Sequence, residues 1–173
     1  MATTTVASQY DRLRLQIDQK RLEPAESSRA TPELLEEYPY ILITGARISY
    51  FFHSENRMVE PLRSRHPDPI VEISPRLAEE KGLRDGEWAM IISRRGGCRQ
   101  KVKVTDRVPY GMVAAEHGWW FPEEKDGLGW DRSNINLLTE NDMETCDPAM
   151  GSTNLRTLLC NVHKAEEKQG IDI

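Results

Sequence analysis

Apolar and polar positions change rhythm several times along the chain. Pro39 precedes a short apolar run, Ile41-Leu42-Ile43, which predicts a buried strand. Ile70-Val71-Glu72-Ile73 predicts a second short strand. Ser74 is placed to cap a helix over residues 75–81, with Pro75 at its first position and Gly82 just past its end. Asp85-Gly86 is a turn signal before the strand pattern of residues 87–93. Arg94-Arg95-Gly96-Gly97 turns the chain into residues 98–105, where Cys98, Gln100, Val102 and Val104 alternate with Arg99, Lys101 and Lys103. The two runs predict an antiparallel hairpin. A turn over residues 106–111 leads to Met112-Val113-Ala114-Ala115, a further strand. Residues 41–117 thus hold about five short strands and one helix, a pattern that suits a small mixed barrel. Residues 155–162 are apolar enough to supply a last, closing strand.

The ends of the chain differ from this middle. Residues 10–22 place Leu13 and Ile17 at helical spacing, a short helix or frayed arm, and residues 23–30 have linker composition. Thr31 and Pro32 lead one helical turn over residues 31–37, with Thr31 as N-cap candidate. The expected division is an arm or linker over 1–30, one domain over 31–163 and a charged, loose tail over 164–173.

At 173 residues the chain suits one domain with a real core. There is no apolar run of about 18 residues, so no membrane-spanning helix is expected. The start lacks the basic-then-apolar order of a secretory leader and has no twin-arginine pair. Cys98, Cys146 and Cys160 form neither a C-x-x-C pair nor a disulfide framework, which points to reduced thiols in a cytoplasmic compartment. The formal net charge of -5 argues against nucleic acid as partner. It also requires any anionic ligand to be held by local donors against the field of the molecule.

Two stretches concentrate chemistry. Thr44-Gly45-Ala46-Arg47 follows the first strand, and His53, Ser54, Glu55 and Asn56 follow an aromatic trio. Gly45 permits close backbone approach, and Arg47 offers a planar fork for a phosphate or another bidentate acceptor. A strand, a turn and a solvated loop would account for the same residues. The second stretch is Glu116-His117-Gly118-Trp119-Trp120-Phe121-Pro122. Successive strand residues point to opposite faces, so both tryptophans cannot face one core; one meets a ligand, a loop or a partner. Asn134 and Asn136 would share a face on an extended segment, where amides suit the edge of a base or pterin, although turn chemistry explains them as well. His53 and His117 lack a metal-ligand spacing, no cysteine has a nucleophile signature, and Arg94-Arg95-Gly96-Gly97 lacks the spacing of a phosphate loop and reads as a solvated turn.

The order of Tyr38-Pro39-Tyr40-Ile41-Leu42-Ile43-Thr44-Gly45-Ala46-Arg47, Phe52-His53-Ser54-Glu55-Asn56-Arg57, Val71-Glu72-Ile73-Ser74-Pro75 and Gly82-Leu83-Arg84-Asp85-Gly86-Glu87-Trp88 resembles one known domain. It is the C-terminal molybdopterin-dinucleotide-binding domain of the dimethyl sulfoxide reductase family. Val102-Lys103-Val104-Thr105-Asp106, the His117-Gly118-Trp119-Trp120 stretch, Asn134-Ile135-Asn136-Leu137-Leu138-Thr139 and Asp147-Pro148 with Gly151 continue the likeness over residues 30–163. The His-Gly-Trp-Trp form is most similar to the formate dehydrogenase, thiosulfate or polysulfide reductase and acetylene hydratase side of the family.

The resemblance implies a six-stranded double-psi β-barrel of the aspartate-decarboxylase-like kind, mainly β with short helices. It implies that the domain caps one face of bis(molybdopterin guanine dinucleotide), whose molybdenum or tungsten is held elsewhere. Carried over by position, Thr44, Gly45 and Arg47 would line the turn nearest the pterin and pyrophosphate. His53 and Ser54 would hydrogen-bond the pterin, His117, Gly118 and Trp119 would form the second wall, and Asn136 with Asn134 would complete the pocket. Cluster cysteines, a metal ligand and a substrate funnel do not stand in this sequence. The chain is therefore expected to work without catalytic residues of its own, with a large oxidoreductase subunit that carries the remaining domains, as a small subunit or a C-terminal fragment. The alternative is a cofactor-free interaction module on the same barrel. A self-processing decarboxylase is disfavoured, because the one Gly-Ser pair, Gly151-Ser152, lies late in the chain.

Overall fold

The computed structural model describes residues 27–165, except 47, 126, 143–145, 147–150 and 154. The arm expected over residues 10–22, most of the tail, Arg47 and the Asp147-Pro148 pair lie outside the described residues.

Six strands close into one barrel: β1 (Tyr40–Ala46), β2 (Ile70–Ile73), β3 (Trp88–Ser93), β4 (Gly96–Val104), β5 (Met112–Glu116) and β6 (Leu158–Lys164). Their order around the barrel is β1-β5-β2-β4-β3-β6. β1 pairs with β5 and β2 with β4 in parallel, and the other pairs are antiparallel. This is the closed, mixed, six-stranded barrel that the family resemblance implies.

Alternation decides which side chains fill it. Val71 and Ile73 of β2, Ala89 and Ile91 of β3, and Cys98, Gln100 and Val102 of β4 point inward, each 2 % exposed or less. They meet Leu42, Val113, Leu158, Cys160 and Val162 in one core. β6 extends one residue past the expected domain edge, and the Ala165 N–H donates to the Trp88 carbonyl at 2.9 Å.

The helices are short: α1 (Glu60–Arg63), α2 (Pro75–Lys81) and α3 (Trp130–Ser133). α2 follows its sequence signals closely. The Ser74 hydroxyl accepts from Leu77 N–H at 3.2 Å, Pro75 opens the helix, and Gly82 closes it at φ +63°. A cap of this kind contributes about 1 kcal/mol. Thr31 behaves otherwise. The Pro32–Glu36 turn is a 3-10 helix without a side-chain cap, because the Thr31 hydroxyl donates to the Ser27 carbonyl at 3.0 Å. α1 carries Pro61 in its first turn, where a missing N–H costs nothing.

The Arg94-Arg95 turn is exposed, in keeping with a solvated turn, and it also serves as an anchor. Arg94 and Arg95 grip the Glu140 carboxylate at 2.5 and 2.7 Å, and Glu140 is 3 % exposed. The β3–β4 turn thereby anchors the segment that follows the 3-10 turn Ile135–Leu138.

On another part of the barrel surface, Glu80 accepts from the Tyr40 hydroxyl and, at 2.7 Å, from the Tyr110 hydroxyl. The hydrogen bond from Tyr40 holds the Glu80 carboxyl below its usual range. Tyr40 is raised by burial and then by Glu80, and Tyr110 is raised by its bond to Glu80. The signs set a window. The Glu80 contribution is full above the usual glutamate range and is lost as pH falls through the depressed folded value. The phenol contributions are full below the usual tyrosine range and are lost as pH rises through the elevated folded values. A Tyr110→Phe and Glu80→Gln double-mutant cycle, followed by urea unfolding, is therefore expected to show favourable coupling at pH 7 that shrinks toward both extremes. No coupling at neutral pH would contradict it.

Candidate functional site

The parallel pairing of β1 with β5 builds the site. Both strands run to the same rim, and Ala46 pairs with Glu116 there. Between Ile43 and Ala46, β1 carries one residue more than β5, a bulge at Thr44 and Gly45 that bends the strand end. The stretches after residues 46 and 116 consequently leave the barrel side by side.

The end of β5 is fixed from two directions. The Gln100 amide donates to the Glu116 carbonyl at 2.8 Å, and its oxygen accepts from the Glu116 N–H at 3.1 Å. The Glu116 carboxylate accepts from Ile70 N–H at 2.9 Å and lies 2.9 Å from His66 Nε2.

Beyond this point the two loops touch. His53 Nδ1 and His117 Nε2 are 3.1 Å apart, a hydrogen bond in which one ring donates and the other accepts. The Trp120 indole N–H donates to the Ser54 carbonyl at 2.6 Å. Gly118 takes φ +68°, and a Cβ there would stand 3.2 Å from the Ser54 nitrogen and 3.3 Å from the His53 carbonyl carbon. Glycine is thus required both by the backbone conformation and by the close approach. Ile48, Phe51, Phe52, His53 and His117 line a cavity of about 130 Å³ between the loops.

Behind the cavity lies a small aromatic core of Phe51, Trp119 and Phe121, with Ile48, Leu62 and Trp88 against it. Arg57 is 0 % exposed inside this core. Its guanidinium lies 3.9 Å from the centre of the Trp119 ring and 4.5 Å from that of Phe51. Burial pushes it down to about 10, a shift that the Glu116 carboxylate opposes and Arg63 reinforces.

The expected site residues divide. His53, Ser54, His117 and Gly118 meet at the rim. Gly45 is exposed near them in β1, and the Arg156 Nε lies 4.0 Å from where its Cβ would be. The Thr44 hydroxyl is turned inward and donates to the Leu155 carbonyl. Arg47 lies outside the described residues, although its neighbour Ala46 is in register with Glu116.

Trp119 corrects an expectation. Its indole is 0 % exposed and packs edge-on to Phe51 and Phe121, so the ring forms no wall. Half-buried Trp120 is the tryptophan at the loop contact. Asn134 and Asn136 correct another. They are not on an extended segment: the Asn134 side chain accepts from Asn136 N–H at 3.0 Å and caps the Ile135–Leu138 turn, which packs on the β3–β4 turn. Turn chemistry accounts for the Asn134 side chain, and Asn136 is exposed. Sequence reasoning missed Arg57, Gln100 and Arg156 as residues of this rim.

Among the described residues, no cluster of three or more His, Cys, Asp or Glu side chains is arranged to hold a metal ion. Cys98 and Cys160 are buried, and burial pushes the Cys98 thiol up, away from nucleophilic use. No helix among the described residues is long and apolar enough to cross a membrane.

A closed mixed barrel that brings two polar, aromatic-edged loops to one rim has the architecture of a cofactor-binding barrel. Comparison with known proteins gives the family: residues 40–158 match the model of the molydopterin dinucleotide binding domain, and the chain belongs to that family. The parent enzymes are those of the dimethyl sulfoxide reductase family, whose cofactor is a molybdopterin guanine dinucleotide. A dopamine dehydroxylase of Eggerthella lenta is 38 % identical over 132 residues, which are 76 % of this chain and 13 % of that protein. An acetylene hydratase of Syntrophotalea acetylenica is 32 % identical over 139 residues, 78 % of this chain and 19 % of that protein. The solved acetylene hydratase from Pelobacter acetylenicus superimposes with a TM-score of 0.78 at 32 % identity, covering 83 % of this chain and 20 % of that one. The chain thus matches a fifth or less of the length of these relatives.

Proposed function

We propose that the rim formed by the ends of β1 and β5 grips a molybdopterin guanine dinucleotide, and that the chain does so as the small subunit or C-terminal portion of a molybdenum or tungsten oxidoreductase. The observation that carries this reading is the Ala46–Glu116 pairing, which sets two polar loops together although some 70 residues separate them. The chemistry of the rim fits such a group. Two imidazoles supply a donor and an acceptor for a heterocycle edge, and Phe51 and Phe52 supply apolar faces. Exposed Gly45, with Arg156 beside it, leaves room for a phosphate to approach the backbone, and Arg47 would add a second guanidinium.

The bound group supplies the metal-centred chemistry; the chain binds and orients it. His53, Ser54, His117 and Gly118 are assigned the pterin edge. Trp120 holds the Ser54 carbonyl and so keeps that edge in place. A larger partner is supported by the apolar surface beside the cavity: Phe52 and Met58 are 67 % and 70 % exposed on the same loop. The reduced thiols fit a cytoplasmic complex.

The test is isolation of the full chain from its native host with any associated protein, followed by oxidative acid treatment and pterin fluorescence. A fluorescent pterin and a large associated chain are expected. His117→Ala is expected to lower pterin content about tenfold, the change produced by losing one strong hydrogen bond. Partner-free, pterin-free protein would overturn the reading.

A further inference from the structure

We infer that Arg57 is the positioning residue of this rim: one guanidinium ties the His53 and Gly118 carbonyl oxygens together and thereby sets the separation of the two loops. The inference rests on the reading that this rim holds the pterin dinucleotide, which would meet both loops at once.

Arginine is almost never fully buried unless it is paired. Here two of the three nitrogens are spent on backbone, and the third, Nη1, is buried without a hydrogen-bond partner. Arg57 Nε and one terminal nitrogen, Nη2, both donate to the Gly118 carbonyl, at 3.3 and 3.0 Å, and Nη2 also donates to the His53 carbonyl at 3.2 Å. One of these loops contains Arg57 itself; the other lies 61 residues further on. Two rings set edge-on to each other pack against the guanidinium and limit its movement, with Trp119 and Phe51 at 3.9 and 4.5 Å.

The backbone that Arg57 closes is otherwise unfavourable. His53 and Asn56 both have positive φ, 50° and 66°, which side-chain-bearing residues rarely adopt. The bond from Arg57 to the His53 carbonyl spans that strained turn, and the bonds to Gly118 fasten it to the opposite loop. The His53–His117 hydrogen bond, at 3.1 Å, depends on this spacing. A lysine would keep the charge, yet its ammonium lacks both the second nitrogen that doubles the contact to Gly118 and the flat face that packs against the rings.

The experiment uses the full, ¹⁵N-labelled chain. In the wild type, the Arg57 Nε–H is expected to exchange with solvent at least about a hundredfold more slowly than an exposed arginine, as a buried, bonded group does. The histidine ring nitrogens are expected to show one proton shared between His53 and His117. In Arg57→Lys the barrel amides should keep their positions, the shared-proton signature should vanish, and pterin content in the co-isolated complex should fall about tenfold. Retention of both the signature and the pterin in a folded Arg57→Lys chain overturns the inference and leaves the binding reading intact. Loss of the signature in a folded variant, with no pterin even in the wild type, supports the positioning role and overturns the binding reading instead. Should the variant fail to fold, the wild-type exchange rate decides: fast exchange of the Arg57 Nε–H overturns the inference, and slow exchange supports it.

Discussion

Trp119→Ala is expected to lower the free energy of unfolding by about 3–5 kcal/mol, the range for deleting a buried tryptophan. The ring is 0 % exposed and packs against Phe51, Phe121 and His66. It also packs against the Arg57 guanidinium, at 3.9 Å. Its removal therefore leaves a cavity and takes away a neighbour of a buried charge. Trp120→Ala is expected to cost no more than about 1 kcal/mol, because that side chain is only half-buried and loses one hydrogen bond, to the Ser54 carbonyl. Urea unfolding of the two single variants separates them. Equal costs, or a larger cost at Trp120, would contradict the assignment of the inner ring to stability and the outer one to the rim.

Gln100→Leu is expected to destabilise by about 2–6 kcal/mol, since it leaves two buried backbone groups without partners at about 1–3 kcal/mol each. Leucine is close to glutamine in size and suits an inward position of β4, so loss of volume does not explain such a cost. The carboxamide is 0 % exposed and stands in for a missing neighbour strand, donating to the Glu116 carbonyl and accepting from its N–H. His117 follows directly, so a freed Glu116 would also loosen the rim, and pterin content should fall with stability. Gln100→Glu discriminates further. A carboxylate can accept the N–H but sets an anion against the carbonyl, so this variant should be at least as unstable as Gln100→Leu. A cost below about 1 kcal/mol for Gln100→Leu would show that the strand end holds without the amide.

Features with local causes were legible from the chain. Strand β2 has the bounds that its apolar run indicates, and α2 begins at Ser74 and Pro75 and ends at Gly82, because caps act over a few residues. The convergence at the rim was legible only through family likeness. Nothing near residue 46 says that its partner is residue 116. Side chains whose partners are distant in sequence were the least legible. Arg57 reads as an ordinary surface charge among polar residues until Trp119 and Gly118 close on it. Gln100 keeps the strand period, yet its polarity hides that it is serving the backbone of a strand 16 residues away. The double tryptophan announces opposite faces without saying which ring turns inward. Asn134 and Asn136 suit an extended segment and a turn equally well on sequence, and the short Asn134 amide decides for the turn by capturing a nearby N–H, which is the tendency that makes asparagine a turn residue.

The antiparallel seam between β1 and β6 joins Tyr40 to Cys160, and so closes the barrel across about 120 residues of chain. The β3–β4 hairpin, by contrast, is built from immediate neighbours. Local pairings form quickly, and distant ones must first overcome the entropy of a long loop. On the ribosome, the hairpin can therefore assemble early, while β1 waits with an unpaired edge until β6 emerges. An exposed edge of this kind is a template for wrong partners, so the vulnerable interval in the life of this molecule is the one between synthesis of its first strand and its last.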